Sequence, residues 1–237
     1  SPTELLLSLY ADGIYIFNKN TGAIKPLEIK DEELNYQIRY SGRSINLLNE
    51  GKDGLILYGN KIKRYDRKTG NCAIVPFEDN SKAGKNLSYA GQTQMGHWFH
   101  NSNHIFLLPN DGSLLSVVGE NHRHEIRCAQ IDSQGTMWLA TDEGLCRFCT
   151  KTLSFNHLET KVIREADNVV CDNRGRVWVG SHSHLSAYLT DGKNFALFGE
   201  SDGVKSNEFL STARLLSSNG DVYMGGVHGL LKIDHDY

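Results

Sequence analysis

Short apolar segments alternate with clusters of turn-forming residues along most of this chain. The stretch from Ile126 to Leu158 shows the pattern most clearly, because four such segments are separated there by clusters rich in Asp, Gly, Asn and Thr. Side chains two apart lie on the same face of a β-strand. Glycine tolerates a positive φ and Asp bonds nearby backbone, so these clusters are typical of tight turns. The pattern predicts four short antiparallel strands, at residues 127–131, 136–140, 145–148 and 155–158.

The pattern recurs along the chain. Trp98, Trp138 and Trp178 follow one another at intervals of 40 residues. The segment Asp132-Ser-Gln-Gly-Thr-Met-Trp138 matches Asp172-Asn-Arg-Gly-Arg-Val-Trp178 in its turn and in its aromatic residue. A period of this length, built from short strands and turns, indicates an array of repeated sheets.

Six copies of the repeat predict an all-β fold, a β-propeller of four-stranded blades. Weaker copies place Leu7, Leu57 and Tyr223 at the position of the tryptophans. We expect one propeller segment over residues 1–237, with blades at about 1–30, 31–79, 80–119, 120–160, 161–203 and 204–237. The first copy begins at its second strand and the last ends after its third. We therefore expect a fragment of a larger protein and part of a seven-bladed ring.

The tryptophan position is expected to pack between neighbouring blades. Each aromatic ring there lies on a middle strand, where it can bury about 150–250 Å². Trp98, Trp138, Trp178 and Tyr223 are accordingly assigned to the structural core of their blades rather than to a ligand site.

Composition excludes several classes of function. The chain has 237 residues, a formal net charge of −3 and a pI near 6.4. It contains no basic run, so nucleic-acid binding by this segment is not expected. No apolar stretch approaches the roughly 20 residues of a membrane span.

The cysteines indicate neither a metal site nor a redox couple. Cys146 and Cys149 form a Cys-x-x-Cys sequence, but they lie in a predicted strand, where residues three apart face opposite sides. They are interpreted as small buried apolar residues. No metal and no cofactor is expected, because the ten histidines lack the spacing and acidic partners of a zinc motif.

Candidate ligand-binding residues concentrate on one edge of the predicted blades. Connections after the second and fourth strands emerge at this edge and vary between copies, whereas the opposite edge carries stereotyped turns such as Asp132-Ser-Gln-Gly. Loops on a rigid scaffold are common binding sites. The stretch from Lys30 to Arg43 is interpreted as one of the linking loops. The candidate ligand-binding residues are Asn103, His122, Arg123, His124, Asp142, Glu143, His182, Asn207, Glu208 and His228.

This mixture of neutral polar groups, histidines and carboxylates suits a hydroxyl-rich ligand, such as an oligosaccharide, better than an anion. No catalytic residue is assigned. Asp142 and Glu143 are adjacent on a turn, and adjacent residues rarely face one substrate bond; no nucleophile elbow or phosphate-binding loop is present.

The repeat resembles a known family. The sequence Asp-x-x-Gly-x-x-Trp, followed by a small residue and Gly-Leu, is similar to the two-component regulator propeller repeat of hybrid two-component histidine kinases from Bacteroidetes. The segment from Ser206 to Phe209, followed by Gly220 to Leu230, resembles the closing blade before an immunoglobulin-like module in these sensors. His104 and His184 depart from the pattern, because they replace the glycine of the Gly-Leu pair.

The resemblance implies a periplasmic sensor segment of an inner-membrane protein, without catalytic parts of its own. It implies detection of oligosaccharides and control of glycan-utilisation genes through a phosphorelay. Its expected partners are the rest of the sensor chain, including a first propeller and an immunoglobulin-like module, and a second copy in a homodimer. Two alternatives remain open: a non-signalling propeller for protein–protein interaction, and a propeller polysaccharide lyase or hydrolase.

Overall fold

The protein is described by a computed structural model, which divides into two compact units. Unit 1 comprises residues 1–87 and 112–114, and unit 2 comprises residues 88–111 and 115–237. The structure describes residues 3–9, 12–40, 46–50, 54–58, 61–79, 81–82, 87–120, 124–158, 163–182, 184–189, 194–204 and 208–237.

Unit 1 contains two antiparallel sheets and one helix. The first sheet has the strand order β1-β2-β3 and the second has the order β4-β5-β6-β7. The elements are β1 (Glu4–Leu9), β2 (Gly13–Asn18), β3 (Ile24–Pro26), α1 (Glu32–Tyr40), β4 (Asn46–Glu50), β5 (Gly54–Tyr58), β6 (Ile62–Asp66) and β7 (Cys72–Ile74).

The helix α1 corrects the interpretation of residues 30–43 as a loop. Asp31 precedes the helix, and its carboxylate accepts a hydrogen bond from the backbone of Leu34 at 2.8 Å, as an N-cap does. Leu34 and Ile38 are four residues apart, so they share one face, which is buried with Tyr65 of β6. Two buried positions were too few to reveal a helix in a chain dominated by strand patterns. Lys63 donates to the Asp31 carboxylate at 2.9 Å and thereby ties the start of α1 to β6.

One predicted repeat position in unit 1 is wrong. Each tryptophan of the repeat pairs with the residue nine positions later, as Trp138 does with Arg147. Leu57 pairs with Lys63, only six positions later, and therefore lies closer to its turn. Leu57 is next to the last paired residue of its strand, Tyr58, whereas Trp138 is three residues from Thr141, so the sequence alignment of this copy is out of register.

Unit 2 contains four antiparallel sheets. Three have four strands in sequence order, and the last has three, β20-β21-β22. The strands are β8 (Ser88–Thr93), β9 (Gly96–His100), β10 (His104–Pro109), β11 (Ser116–Glu120), β12 (Ile126–Ile131), β13 (Thr136–Thr141), β14 (Gly144–Cys149), β15 (Ser154–His157), β16 (Asn168–Cys171), β17 (Val177–Gly180), β18 (Leu185–Tyr188), β19 (Phe195–Phe198), β20 (Phe209–Leu216), β21 (Val222–Gly226) and β22 (Gly229–Ile233), with a 3-10 helix at Glu200–Asp202.

The core of unit 2 lies between consecutive sheets. Trp98 packs with residues of the β12–β15 sheet, Trp138 with the β16–β19 sheet and Trp178 with the β20–β22 sheet. All three side chains are at most 5% exposed. Each indole therefore fills the space between its own sheet and the next one.

Tyr223 does not share this burial, so its assignment to the blade core is corrected. Its neighbours Val222 and Met224 are buried against the β16–β19 sheet, whereas Tyr223 is half-buried on the other face of β21. There it lines an apolar groove of about 420 Å³ with Leu215 and Leu230, both of which are exposed. Within the part of the chain that the structure describes, no helix is long and apolar enough to cross a membrane.

Candidate functional site

Variable loops of unit 2 meet along one edge of its sheets, here called the loop edge. It is formed by the connections that follow the second and fourth strand of each sheet. Backbone hydrogen bonds join neighbouring connections: Ile126 donates to Ser102 at 2.7 Å, Asp142 to Glu125 at 3.2 Å, and Val227 to Glu208 at 3.1 Å. These bonds hold loops from different sheets together, so residues distant in sequence form one surface.

A first group of polar side chains on the loop edge surrounds Glu125. Ser102 donates a hydrogen bond to the Glu125 carboxylate at 3.1 Å, and the Asp142 carboxylate accepts the backbone N–H of Glu125 at 2.8 Å. The Nδ1 atom of His124 lies 3.9 Å from the same Asp142 oxygen. The His124 ring also contacts the ring of His157, with centroids 5.0 Å apart. Asp142 and His124 are thus brought together as candidate site residues.

A second group, here called the Asp167 cluster, comprises Arg127, Glu165, Asp167, His182 and Glu208. Asp167 is at its centre, because one carboxylate oxygen accepts from Arg127 Nη1 at 2.7 Å and the other lies 3.1 Å from His182 Nδ1. Glu165 lies 3.9 Å from the same Arg127 nitrogen. The Asp167 side chain is 14% exposed, whereas that of His182 is 68% exposed. In this cluster, the exposed His182 is therefore hydrogen-bonded to the largely buried carboxylate of Asp167.

Carboxylates control the charge of His182. The hydrogen bond that His182 donates to Asp167 and the negative charge of Asp167 raise the pKa of His182 above the ordinary 6.5, and the charges of Glu208 and Glu165 act in the same direction. The imidazolium form is stabilised, so His182 carries a positive charge over a wider pH range than an isolated histidine does.

The remaining predicted site residues are dispersed along the edge. Asn103, Glu143 and His228 are exposed and lie in turns. The backbone N–H groups of Asn103 and Glu143 donate hydrogen bonds within those turns. Glu208 is exposed and approaches His182 closely enough to influence its pKa. His122, Arg123 and Asn207 lie outside the described residues.

The two histidines that replace the repeat glycine occupy turns of the same length as the turn of Gly144. Two residues separate Thr141 from Gly144, and in the equivalent turns the backbone N–H of Asn101 donates to the His104 carbonyl and that of Ser181 to the His184 carbonyl, each at 3.1 Å. Gly144 has a φ of +112°, whereas neither histidine adopts a positive φ. The backbone of these two turns therefore does not need glycine at this position.

Comparison with known proteins establishes the architecture. No protein-family model matches the chain, and no curated protein matches it in sequence. The extracellular domain of the hybrid two-component system BT3049 from B. thetaiotaomicron is similar in structure, with a TM-score of 0.76 and 18% identity over 100% of this chain and 33% of that one. Virginiamycin B lyase from Staphylococcus aureus matches with a TM-score of 0.71 and 14% identity, over 100% and 79% of the two chains.

A third similar structure is PorZ, a surface component of the type-IX secretion system of Porphyromonas gingivalis, with a TM-score of 0.69 and 16% identity over 98% of this chain and 37% of PorZ. The fold is a β-propeller. This agrees with the fold predicted from the repeat. The chain spans about a third of the length of the matched extracellular domain of the hybrid two-component system.

Sequence reasoning missed Arg127 and Asp167, although the sequence holds a signal for them. The two residues are 40 positions apart, which is one repeat, so they occupy equivalent sites on neighbouring innermost strands. Cys128 and Asn168 repeat this relationship, with Cys128 Sγ 3.8 Å from the Asn168 side-chain oxygen. Opposite charges one repeat apart are therefore the sequence signal for this ion pair between neighbouring blades.

The described residues of the loop edge have no arrangement that indicates a metal centre. Among the residues that the structure describes, no group of three or more His, Cys, Asp or Glu side chains could hold a metal ion. Cys146 is buried, which raises the pKa of its thiol to about 11, so it remains a neutral thiol at physiological pH. What the edge offers is a set of exposed hydrogen-bonding groups on a fixed scaffold.

Proposed function

We propose that this chain is a ligand-sensing propeller segment from the extracytoplasmic part of a hybrid two-component sensor histidine kinase. The observation that carries the proposal is the similarity of the whole chain, at a TM-score of 0.76, to the extracellular domain of such a system. The Asp-x-x-Gly-x-x-Trp repeat, which resembles that of the same class of sensors, supports it independently. A periplasmic location follows from the proposal.

The proposed ligand is an oligosaccharide, and its proposed site is the loop edge. Carboxylates accept hydrogen bonds from sugar hydroxyls, while amides and imidazoles can both donate and accept. The exposed Asn103, Glu165, His182 and Glu208 supply these groups. Bonds between loops, such as Asp142 to Glu125, fix the edge before binding, and such preorganisation reduces the entropic cost of association.

Signalling would require the ligand to favour one arrangement of the sensor over another. A ligand shifts an equilibrium only by its difference in affinity for the two states. In the proposed protein, those states are arrangements of a homodimer that includes a further propeller and an immunoglobulin-like module. The phosphorelay that controls glycan-utilisation genes would belong to parts of the protein outside this chain.

The test is a binding and reporter experiment on the full-length protein. A panel of oligosaccharides from plant and host glycans is screened by calorimetry, and each binder is then tested for induction of a phosphorelay-dependent reporter. Asp167→Asn removes the charge at the centre of the Asp167 cluster and should weaken binding about 10-fold or more. Asp236→Asn is the control, because Asp236 is exposed beyond β22, on the edge of the stereotyped turns.

Two other functions compete with this one, because a similar fold occurs in a lyase and in a surface component of a secretion system. Turnover of a glycan by the isolated chain would favour the enzyme. Saturable binding to a protein, with no response to any glycan, would favour an interaction module. Either result would replace the sensor proposal, whereas glycan-dependent reporter induction that is reduced in Asp167→Asn would support it.

A further inference from the structure

The charges of the loop edge restrict the class of ligand that it can accept; this inference rests on the proposed oligosaccharide-binding function. Among the described residues of the loop edge and the Asp167 cluster, carboxylates outnumber arginines by eight to two. The carboxylates are those of Glu125, Asp142, Glu143, Glu165, Asp167, Glu200, Asp202 and Glu208, and the arginines are Arg127 and Arg164. A surplus of one sign attracts oppositely charged ligands and repels ligands of the same charge, whereas neutral ligands are not repelled.

Arg127, the arginine nearest to these carboxylates, is already engaged. Its Nη1 atom lies 2.7 Å from Asp167 and 3.9 Å from Glu165, and its side chain is 30% exposed. A ligand carboxylate that approached Arg127 would have to compete with the Asp167 carboxylate for the same guanidinium. The incoming anion would also meet Glu165, whose side chain is 56% exposed. Arg127 therefore positions Asp167 and does not serve as an anion receptor.

His182 is held in the same manner. Its Nδ1 atom lies 3.1 Å from Asp167, and the charges of Glu208 and Glu165 act on its ring. Only its outer nitrogen faces away from Asp167, on a side chain that is 68% exposed. This nitrogen can bind one hydroxyl group, while the exposed carboxylates of Glu165 and Glu208 can accept from others.

We propose that the loop edge selects neutral, hydroxyl-rich oligosaccharides and discriminates against uronate-containing or sulfated ones, through the carboxylates of the Asp167 cluster. Glu165 and Glu208 determine this selectivity, because they are the exposed anions of the cluster. Asp167 acts by occupying the Arg127 guanidinium and by holding the ring of His182.

The test compares matched ligands on the full chain. Neutral tetrasaccharides of glucose, galactose or mannose are titrated beside the same sugars oxidised to uronates at C6, which differ by little except charge. The neutral form should bind about 10-fold tighter at 20 mM salt, since two carboxylates at about 7 Å each repel an anion by roughly 0.6 kcal/mol. The preference should shrink to about 3-fold at 0.5 M salt, where the repulsion is screened.

Variants then separate electrostatic selection from shape. The double variant Glu165→Gln with Glu208→Gln retains side-chain oxygens that accept hydrogen bonds and loses both charges. The ratio of the affinity for the neutral form to that for the uronate form should fall several-fold, whatever the variant does to the affinity for either form alone. Asp236→Asn, which removes one charge from the opposite edge, should leave both affinities unchanged.

Three results would overturn this inference. Equal or tighter binding of the uronate form would refute charge selection while leaving the sensor proposal intact. An unchanged preference in the double variant would show that Glu165 and Glu208 do not set it. The absence of binding by every glycan, neutral or anionic, would refute both the inference and the proposed oligosaccharide function.

Discussion

Asp132 and Trp138 are joined by a hydrogen bond of 2.7 Å between the carboxylate Oδ2 and the indole nitrogen. The other carboxylate oxygen of Asp132 accepts the backbone N–H groups two and four residues ahead, each at 2.9 Å. Asp172 and Trp178 repeat the arrangement, with an indole contact of 3.0 Å. The six-residue spacing in the repeat thus has a physical cause: one carboxylate closes the turn and satisfies the donor of the buried indole.

Removing this carboxylate should destabilise the blade. Asp132→Ala leaves the indole nitrogen and two turn N–H groups without their acceptor, which should lower the free energy of unfolding by about 2–3 kcal/mol. Asp132→Asn keeps one acceptor oxygen and should cost roughly half as much. Urea unfolding followed by tryptophan fluorescence measures both, with Asp236→Ala as an exposed control. A cost for Asp132→Ala no greater than for the control would contradict this account.

Gly144 should be far less tolerant of substitution than Gly229, which occupies the same repeat position in the last sheet. Both have a positive φ, +112° and +137°, but a Cβ atom at Gly144 would lie 2.4 Å from the carbonyl oxygen of Ile163, while Gly229 has open space. Gly144→Ala should therefore cost about 3 kcal/mol and Gly229→Ala about 1 kcal/mol. Thermal unfolding of the two variants compares them directly. Equal losses of stability in the two variants would mean that the positive φ alone requires glycine and that the close approach of Ile163 does not contribute.

Much of the fold was predictable because the repeat is enforced by local chemistry. The Asp132 turn and the Trp138 indole act within six residues, so their spacing recurs at Asp172 and Trp178 and is visible in one sequence. Features without such a local signature were missed. The helix α1 buries only Leu34 and Ile38 on its face, and the paired strands of the Leu57 copy end one residue beyond Leu57.

The candidate site was less predictable because its contacts join different blades. Asp142 and His124 were named from their loops, but the pairing of Arg127 with Asp167 depends on two inner strands lying side by side. Sequence periodicity indicates that such strands are neighbours, and it does not indicate which side chains reach across the gap. Tyr223 illustrates the same limit, since its exposure depends on what packs against the last sheet.

His182 should titrate above its ordinary pKa, and Asp167 should be the cause. Asp167→Asn should return the pKa of His182 towards 6.5 in a proton NMR titration. Because the folded-state pKa is raised, the pair stabilises the fold fully below about pH 6.5 and loses this contribution as pH rises through the folded-state value. An unchanged titration curve in Asp167→Asn would show that the contact is absent in solution.

His100 should have the opposite effect on stability. Burial, reinforced by the positive charge of Arg214 and only partly offset by a hydrogen bond to the Asn101 carbonyl, lowers the pKa of His100 to about 4. Between pH 6.5 and 4 the unfolded chain binds a proton that the folded chain does not. The stability that the buried, neutral His100 contributes is therefore fully present above about pH 6.5 and is lost as pH falls towards 4.

The variant His100→Gln isolates this contribution, because glutamine retains a hydrogen-bond donor and does not titrate. Between pH 7.5 and pH 5 the free energy of unfolding of the wild-type protein should fall by about 2 kcal/mol more than that of His100→Gln. The comparison cancels the contributions of other groups, including His182, which are common to both proteins. Parallel pH profiles of the two proteins would mean that His100 accepts a proton in the folded state as readily as in the unfolded state. His100 would then have to be accessible to water, contrary to its burial in unit 2.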